Sequence, residues 1–183
     1  MEDYPRTILE FEERFRSEES CREYLWRLRW PEGFRCPRCG GSEAWWLRRD
    51  LYRCRQCDLQ TSVTAGTIFH RTRTRLRVWF RALWYVTNQK HGVSALGLQR
   101  ALGLGSYHTA WTWLHKLRVA MVRPGRDRLT GTVEVDEAYI GGVKSGKPGR
   151  GAAGKALVVV AAQADGTRIG RIRLRRVADA SAA

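Results

Sequence analysis

A chain of 183 residues with 43% hydrophobic content can build one to three small packed domains and is not a disordered polyelectrolyte. Its 33 Lys and Arg against 18 Asp and Glu leave a formal charge of +15, a field that calls for a polyanionic partner. No apolar run nears the ~20 residues that cross a membrane, and the acidic N-terminus lacks the apolar core of a secretory signal. The expectation is therefore a cytoplasmic, DNA-associated protein with no membrane contact, whose five cysteines are not a disulfide framework. Arginine outnumbers lysine, which suits planar, bidentate contact with phosphate or guanine.

Residues 1–33 read as N-terminal helices. Ile8, Phe11 and Phe15 recur at helical spacing, and a second run sets Cys21, Tyr24, Leu25 and Leu28 on one side. Ser20 followed by Glu23 fits a capping box, and Pro31 and Gly33 end the run. Cys21 has no partner at metal spacing and reads as a buried small hydrophobe.

Residues 34–69 carry a different signal. Cys36-Pro-Arg-Cys39 and Cys54-Arg-Gln-Cys57 are two short turns, each aiming a pair of thiolates at one point. Two such turns complete a closed tetrahedral sulfur site, the geometry of structural Zn2+. The β-prone runs Trp45–Leu47 and Leu51–Tyr52 flank Arg49-Asp50, so the segment reads as a zinc ribbon, two knuckles joined by a hairpin. An iron–sulfur cluster is the alternative occupant. With all four positions filled by protein, the metal would hold a small core together and would not by itself imply catalysis.

Residues 70–122 read as a helical DNA-binding region. Arg71, Arg73, Arg75 and Arg77 alternate along the entrance to a helix, with Arg81 just beyond. They are either a solvated helix start or phosphate contacts, and the phosphate reading makes binding salt-dependent. The helix is predicted from about Thr74 to Lys90, with Leu76, Trp79, Phe80, Leu83 and Trp84 or Val86 as its stripe and Gly92 as its stop. Two further helices, about Ser94–Leu102 and Ser106–Met121, are separated by Gly103-Leu-Gly105. This helix-turn-helix (about 93–121) would lay its second helix in the major groove; an ordinary helical hairpin is the alternative. Ala110, Trp113, Leu114, Leu117 and Met121 form the inward face of that helix. Ser106, His108, Thr109, Thr112, His115 and Lys116 are the candidate DNA contacts.

Residues 123–130 are a basic linker broken by Pro124-Gly125. Beyond it, residues 131–183 hold three consecutive predicted strands. Thr132–Ile140 puts Glu134 and Asp136 on one face and Val133, Val135 and Glu137 on the other. Gly141–Gly154 is a basic loop and a further candidate for backbone contact with DNA. Lys155–Ala162 is a continuous apolar run of the kind that suits a strand buried on both faces. Asp165-Gly166 signals a hairpin, and Arg168–Val177 alternates arginine with aliphatic residues. Asp136 alone is either a candidate catalytic carboxylate or a salt-bridged strand residue.

Several segments in order carry a resemblance: C-P-R-C-G at 36–40, Y-R-C-R-Q-C at 52–57, S-V-T-A-G-T-I-F at 62–69, G-V-S-A at 92–95, H-T-A-W at 108–111 and V-E-V-D-E-A-Y-I-G-G at 133–142. From about residue 20 onward the chain resembles the bacterial insertion-sequence transposases that join a zinc ribbon and helix-turn-helix to a DDE-type, RNase H-like catalytic domain. The resemblance implies a multidomain α+β protein whose last segment is the first three strands of an incomplete RNase H-like α/β domain. It implies that Asp136 is the first catalytic carboxylate, a ligand of Mg2+ in phosphodiester cleavage and strand transfer on double-stranded DNA. A homo-oligomer on DNA is also implied. Asp179 resembles the position of a family D-x-S turn and is not assigned as a second catalytic residue. The expectation is a C-terminally truncated transposase, inactive alone. The alternative is a non-enzymatic zinc-ribbon regulator or inhibitor that occupies transposon ends.

Overall fold

The computed structural model describes residues 4–89, 91–122, 125, 127–142 and 154–179, with Arg49 by its backbone alone. Among these residues there are five α-helices, one 3-10 turn and two three-stranded sheets. The chain divides into two compact units at Arg123/Pro124.

The N-terminal helical run is two helices, α1 (Ile8–Arg14) and α2 (Glu18–Arg29), each with its own capping box. Thr7 Oγ1 accepts from the Glu10 N–H while the Glu10 carboxylate accepts from the Thr7 N–H. Ser17 and Ser20 exchange the same pair of bonds. The predicted Ser20–Glu23 box is thus displaced. Ser17 presents its hydroxyl first, α2 starts a turn earlier, and Ser20 becomes a residue of that turn. Phe11, Phe15 and Cys21 are buried as the apolar spacing requires, but Ile8 and Leu28 stay exposed.

Three more helices complete the main core: α3 (Leu76–Asn88), α4 (Ala95–Leu102) and α5 (Tyr107–Met121). The core is aromatic at its centre, where Trp79 of α3 stacks on Trp113 of α5 with ring centroids 3.7 Å apart. Phe11, Phe15, Phe69, Phe80 and Leu98 pack around it. Helix α3 begins two residues later than predicted, because the chain stays in turns through Arg75. It ends at Asn88, before Gly92, where the Asn88 side-chain amide donates to the Trp84 carbonyl at 2.9 Å; the predicted terminus Lys90 lies outside the described residues.

Arg75, the N-cap of α3, offers no side-chain acceptor. The Glu18 carboxylate of α2 takes that role, accepting from the Leu76 and Arg77 N–H groups. Helices α4 and α5 are capped by Ser94 and Ser106, and Gly103 makes the turn between them at φ +62°. Ala110, Trp113, Leu114 and Leu117 are buried as expected; Met121 is 62% exposed because α5 runs past the end of the core.

The first sheet is a meander of β1 (Ala44–Leu47), β2 (Leu51–Cys54) and β3 (Gln60–Ser62). Sequence reading anticipated the β1–β2 hairpin but not β3, which is too short to show an alternation. A second, smaller apolar cluster of Trp30, Phe34, Cys36, Cys54 and Val63 underlies this sheet.

The second unit is an antiparallel meander of β4 (Val133–Ile140), β5 (Ala156–Asp165) and β6 (Arg168–Val177). Asp165 pairs with Arg168 across the turn, with Gly166 at φ +60°. The expectation of a strand buried on both faces is not met: in β5 only Leu157 is buried and most of the rest is half-buried. Among the described residues the second unit is a single layer of sheet with no helix, so neither face of β5 is closed off.

The first unit therefore depends on one carboxylate that reaches across to another helix. Glu18→Ala is expected to lower unfolding stability by about 1–2 kcal/mol, the cost of removing a helix cap. Urea denaturation of the full chain checks this, and an unchanged midpoint would show that the two bonds contribute nothing net.

Candidate functional site

The four cysteines of the ribbon converge. Their sulfur atoms all lie within 4.8 Å of one another, and they are the one such group of metal-ligating side chains among the described residues. Two closed turns produce this. In each, the first cysteine donates its N–H to a carbonyl five residues on (Cys36 to Gly41, Cys54 to Leu59) and accepts from the N–H four residues on (Gly40, Asp58). That fourth residue is left-handed in both turns, Gly40 at φ +75° and Asp58 at φ +56°. Gly is the easy residue for this conformation and Asp is among the few others that tolerate it.

Cys36 Sγ lies 3.5 Å from Cys57 Sγ, and Cys39 Sγ lies 3.6 Å from Cys54 Sγ. Zn–S bonds of ~2.3 Å in a tetrahedron put sulfurs about 3.8 Å apart, so the donor set fits a structural zinc ion. Burial opposes ionisation of Cys36, but the Cys39 and Arg38 N–H groups bring its thiol down to about 6. The Gly41 N–H favours the Cys39 thiolate, yet Cys57, burial and the other sulfurs hold this thiol up at about 12. Four thiolates so close are stable together only around a cation. The fifth cysteine, Cys21, is buried in the helical core, and burial together with Glu18 pushes its thiol up to about 11. It is an inert core residue.

The basic segment runs through the turns between β3 and α3. Arg71, at φ +54°, Arg73 and Arg75 are exposed, and Arg77 is half-buried. Other arginines of this unit are tied to acids: Arg22 to Asp50, Arg53 to Asp58, Arg55 to Glu43 and Arg81 to Glu12. The side chains of Arg71, Arg73 and Arg75 have no hydrogen bond or ion pair among the described residues.

On α5 the candidate contacts separate. Ser106 and Thr109 are engaged at the helix start, where Ser106 Oγ accepts from the Thr109 N–H and lies 2.9 Å from Thr109 Oγ1. Lys116 is half-buried, its ammonium 5.9 Å from the Trp79 ring centroid. Thr112 is half-buried, and His108 and His115 are exposed. Between the two histidines stands Trp111, which sequence reasoning passed over although it lies three residues after His108 and four before His115. Its ring centroid is 4.0 Å from that of His115 and 6.2 Å from that of His108.

In the second unit Asp136 is exposed in the middle of β4, and its Oδ1 accepts from the Glu137 N–H at 2.7 Å. Asp136 pairs with Val160, which pairs with Leu174, so these three share one face with Glu134. Glu137 lies on the other. The loop candidate for DNA contact falls mostly outside the described residues, at 143–153.

The purified chain is expected to hold one zinc ion. Exchange to Co2+ should give the absorption of a tetrahedral thiolate site. Cys36→Ser and Cys54→Ser should abolish it, and Cys21→Ser should leave it intact. A Co2+ spectrum unaffected by Cys36→Ser would remove Cys36 from the site.

Residues 16–60 match the family model of the transposase zinc-ribbon domain, and residues 128–183 match that of the ISXO2-like transposase domain. An uncharacterized protein in transposable element ISH50 of Halobacterium salinarum is 30% identical over 142 residues, which cover 74% of this chain and 45% of that protein. The chain thus spans less than half the length of the curated relative it matches. No solved structure matches it. With a zinc-ribbon match around four converging thiols and a transposase-domain match around the Asp136 strand, the chain belongs to the insertion-sequence transposases.

Proposed function

We propose that this chain grips double-stranded DNA with its first unit and presents Asp136 of its second unit to a scissile phosphodiester. The observation that carries the reading is the exposed carboxylate of Asp136 in the middle of β4, inside the segment that matches a transposase domain. The meander of β4, β5 and β6 is then the start of an RNase H-like sheet. Arg71, Arg73, Arg75 and Arg77 meet phosphates, and α5 is the recognition helix of a helix-turn-helix formed with α4.

The Asp136 carboxylate is a hard oxygen donor and suits Mg2+, which takes oxygen ligands and retains waters. A bound pair of such ions supplies an activated water and charge stabilisation for in-line displacement at phosphorus. Asp136 holds its share of that site from a strand, and its bond from the Glu137 N–H fixes one of its two oxygens. Glu134 stands two residues away on the same face and adds negative charge that favours cations there. Asp136 contributes one ligand, and the remaining ligands of a two-ion site are not assigned. The protein works in the cytoplasm on transposon ends and target DNA, as a homo-oligomer that pairs two ends. No helix among the described residues is long and apolar enough to cross a membrane.

A second reading has one observation in its favour. Among the described residues no group of three or more acids or histidines meets at Asp136, whereas the four cysteines of the first unit do converge. On that reading the chain occupies transposon ends without cutting them.

Fluorescence anisotropy with duplex DNA tests the grip. Replacing Arg71, Arg73 and Arg75 together by Ala should weaken binding to every sequence and flatten the salt dependence by about 2–3 in log–log slope. Mg2+-dependent nicking tests Asp136. Asp136→Asn should leave binding unchanged and lower nicking by on the order of 100-fold or more. Tight binding with no nicking by the unaltered chain would establish the second reading.

A further inference from the structure

The outward face of α5 carries an aromatic ridge that the core does not need. Trp113, two residues on from Trp111, is buried against Trp79 and supplies what packing requires of this helix. Trp111 is 46% exposed, and its ring lies against His115 on one side and near His108 on the other. The three rings stand at spacings of three and four residues, so they form one continuous line along the helix. An indole set between two imidazoles keeps a fixed orientation, and holding it half in water sacrifices apolar burial unless it meets a partner.

The chemistry of the ridge selects the partner. An indole has no charge to neutralise a phosphate, and the exposed Arg71, Arg73 and Arg75, unpaired among the described residues, are better suited to that. In the major groove the apolar feature of the base edges is the thymine 5-methyl group. Trp111 lies in the first half of α5, one turn beyond the Ser106 cap that follows the Gly103 turn. That is the part of a recognition helix that comes nearest the bases.

Resting on the proposed DNA-binding function, we infer that Trp111 is a base-reading residue that packs on thymine 5-methyl groups in the major groove, with His108 and His115 as the positioning residues that hold its ring. The contact is apolar, so it contributes to sequence preference and not to the salt dependence of binding.

The test uses the full chain and a duplex library with a random core. The unaltered protein should enrich a motif containing a required thymine. Replacing that thymine by deoxyuridine, which removes only the methyl group, should weaken binding by about three- to tenfold, as expected for one buried methyl and its surroundings. Trp111→Ala should lose the preference for the motif, respond equally to thymine and deoxyuridine, and keep the salt slope of the unaltered protein. Trp111→Phe should restore part of the methyl response. A melting temperature shared by all three proteins places the effect at the DNA contact and not in the fold. The inference is overturned if Trp111→Ala selects the same motif, or if deoxyuridine weakens the Ala variant as much as the unaltered protein. It is also overturned if the unaltered protein binds single strands in preference to any duplex, which would make the ridge a stacking platform. If the unaltered protein binds no DNA at all, the proposed function itself fails, and the two failures are told apart.

Discussion

The closure of two thiolate turns around one zinc ion is the constraint on which the first unit rests. The apolar cluster beneath the ribbon has five buried residues, and two of them, Cys36 and Cys54, belong to the candidate metal site. A cluster that small does not offset the conformational entropy of ordering thirty residues of short strands and turns, so metal binding and folding of the ribbon are one event. The consequence reaches beyond the ribbon. Trp30, at the end of α2, packs on Phe34 and Tyr52, and Leu25 of the same helix borders both this cluster and the main helical core. Helix α2 is thus a wall of two cores. At its other end Glu18 closes the N-terminus of α3, so the ribbon, α2 and α3 hold one another in place.

The charge of +15 is distributed with a purpose that composition alone conceals. Arg22, Arg53, Arg55 and Arg81 are neutralised locally by carboxylates, as on any soluble surface. Arg71, Arg73 and Arg75 have no such partner among the described residues and stand in the irregular segment that leads into α3. Exposed pairs add little stability, but an unpaired cluster retains its field for an incoming polyanion. The residues that shape this surface therefore differ from those that stabilise it.

Much of this was readable in the sequence because local rules and tertiary packing agree. The spacing of Cys36, Cys39, Cys54 and Cys57 specifies their convergence, and Ser94, Ser106 and Gly103 mark the ends of α4 and α5 where the helices start and stop. Reading failed where two local signals competed or a tertiary contact decided. Ser17 and Ser20 are both adequate caps, and only the backbone chooses between them. The start of α3 is set by Glu18, a residue 58 positions away, which no local pattern reveals. Trp111 falls beside the outward face of α5 by its spacing and was not counted among the candidate contacts, because a polar face draws attention to its polar side chains; Trp113, two residues on, is core. For Asp136 the sequence placed it on a strand face with Glu134, but register was needed to say which residues of β5 and β6 share that face.

The same register explains an irregularity in β6. Ile169 and Ile172 have opposite parity, so a regular strand would put them on different faces. A shift between Ala162 and Ala164 sets Ile172 opposite Ala162 and Ile169 opposite Ala164, so both isoleucines join the face of Asp136. Gly170 sits at the shift, where an added Cβ would lie 3.2 Å from the Gln163 carbonyl oxygen. Arg171, next to Ile172, lies on the other face by ordinary alternation, and there its Nε donates to Gln163 Oε1 at 2.9 Å. From there Arg171 and Arg173 donate to the carbonyls of Arg128 and Asp127. The last residues of the linker are therefore tied to the face opposite Asp136. Ordinary alternation about Ile172 puts Arg171 and Arg173 on the face that holds the incoming chain, while Arg176, opposite Val158, lies on the face of Asp136. The carboxylates of Asp136 and Glu134 thus lie on the face away from these two bonds to the linker.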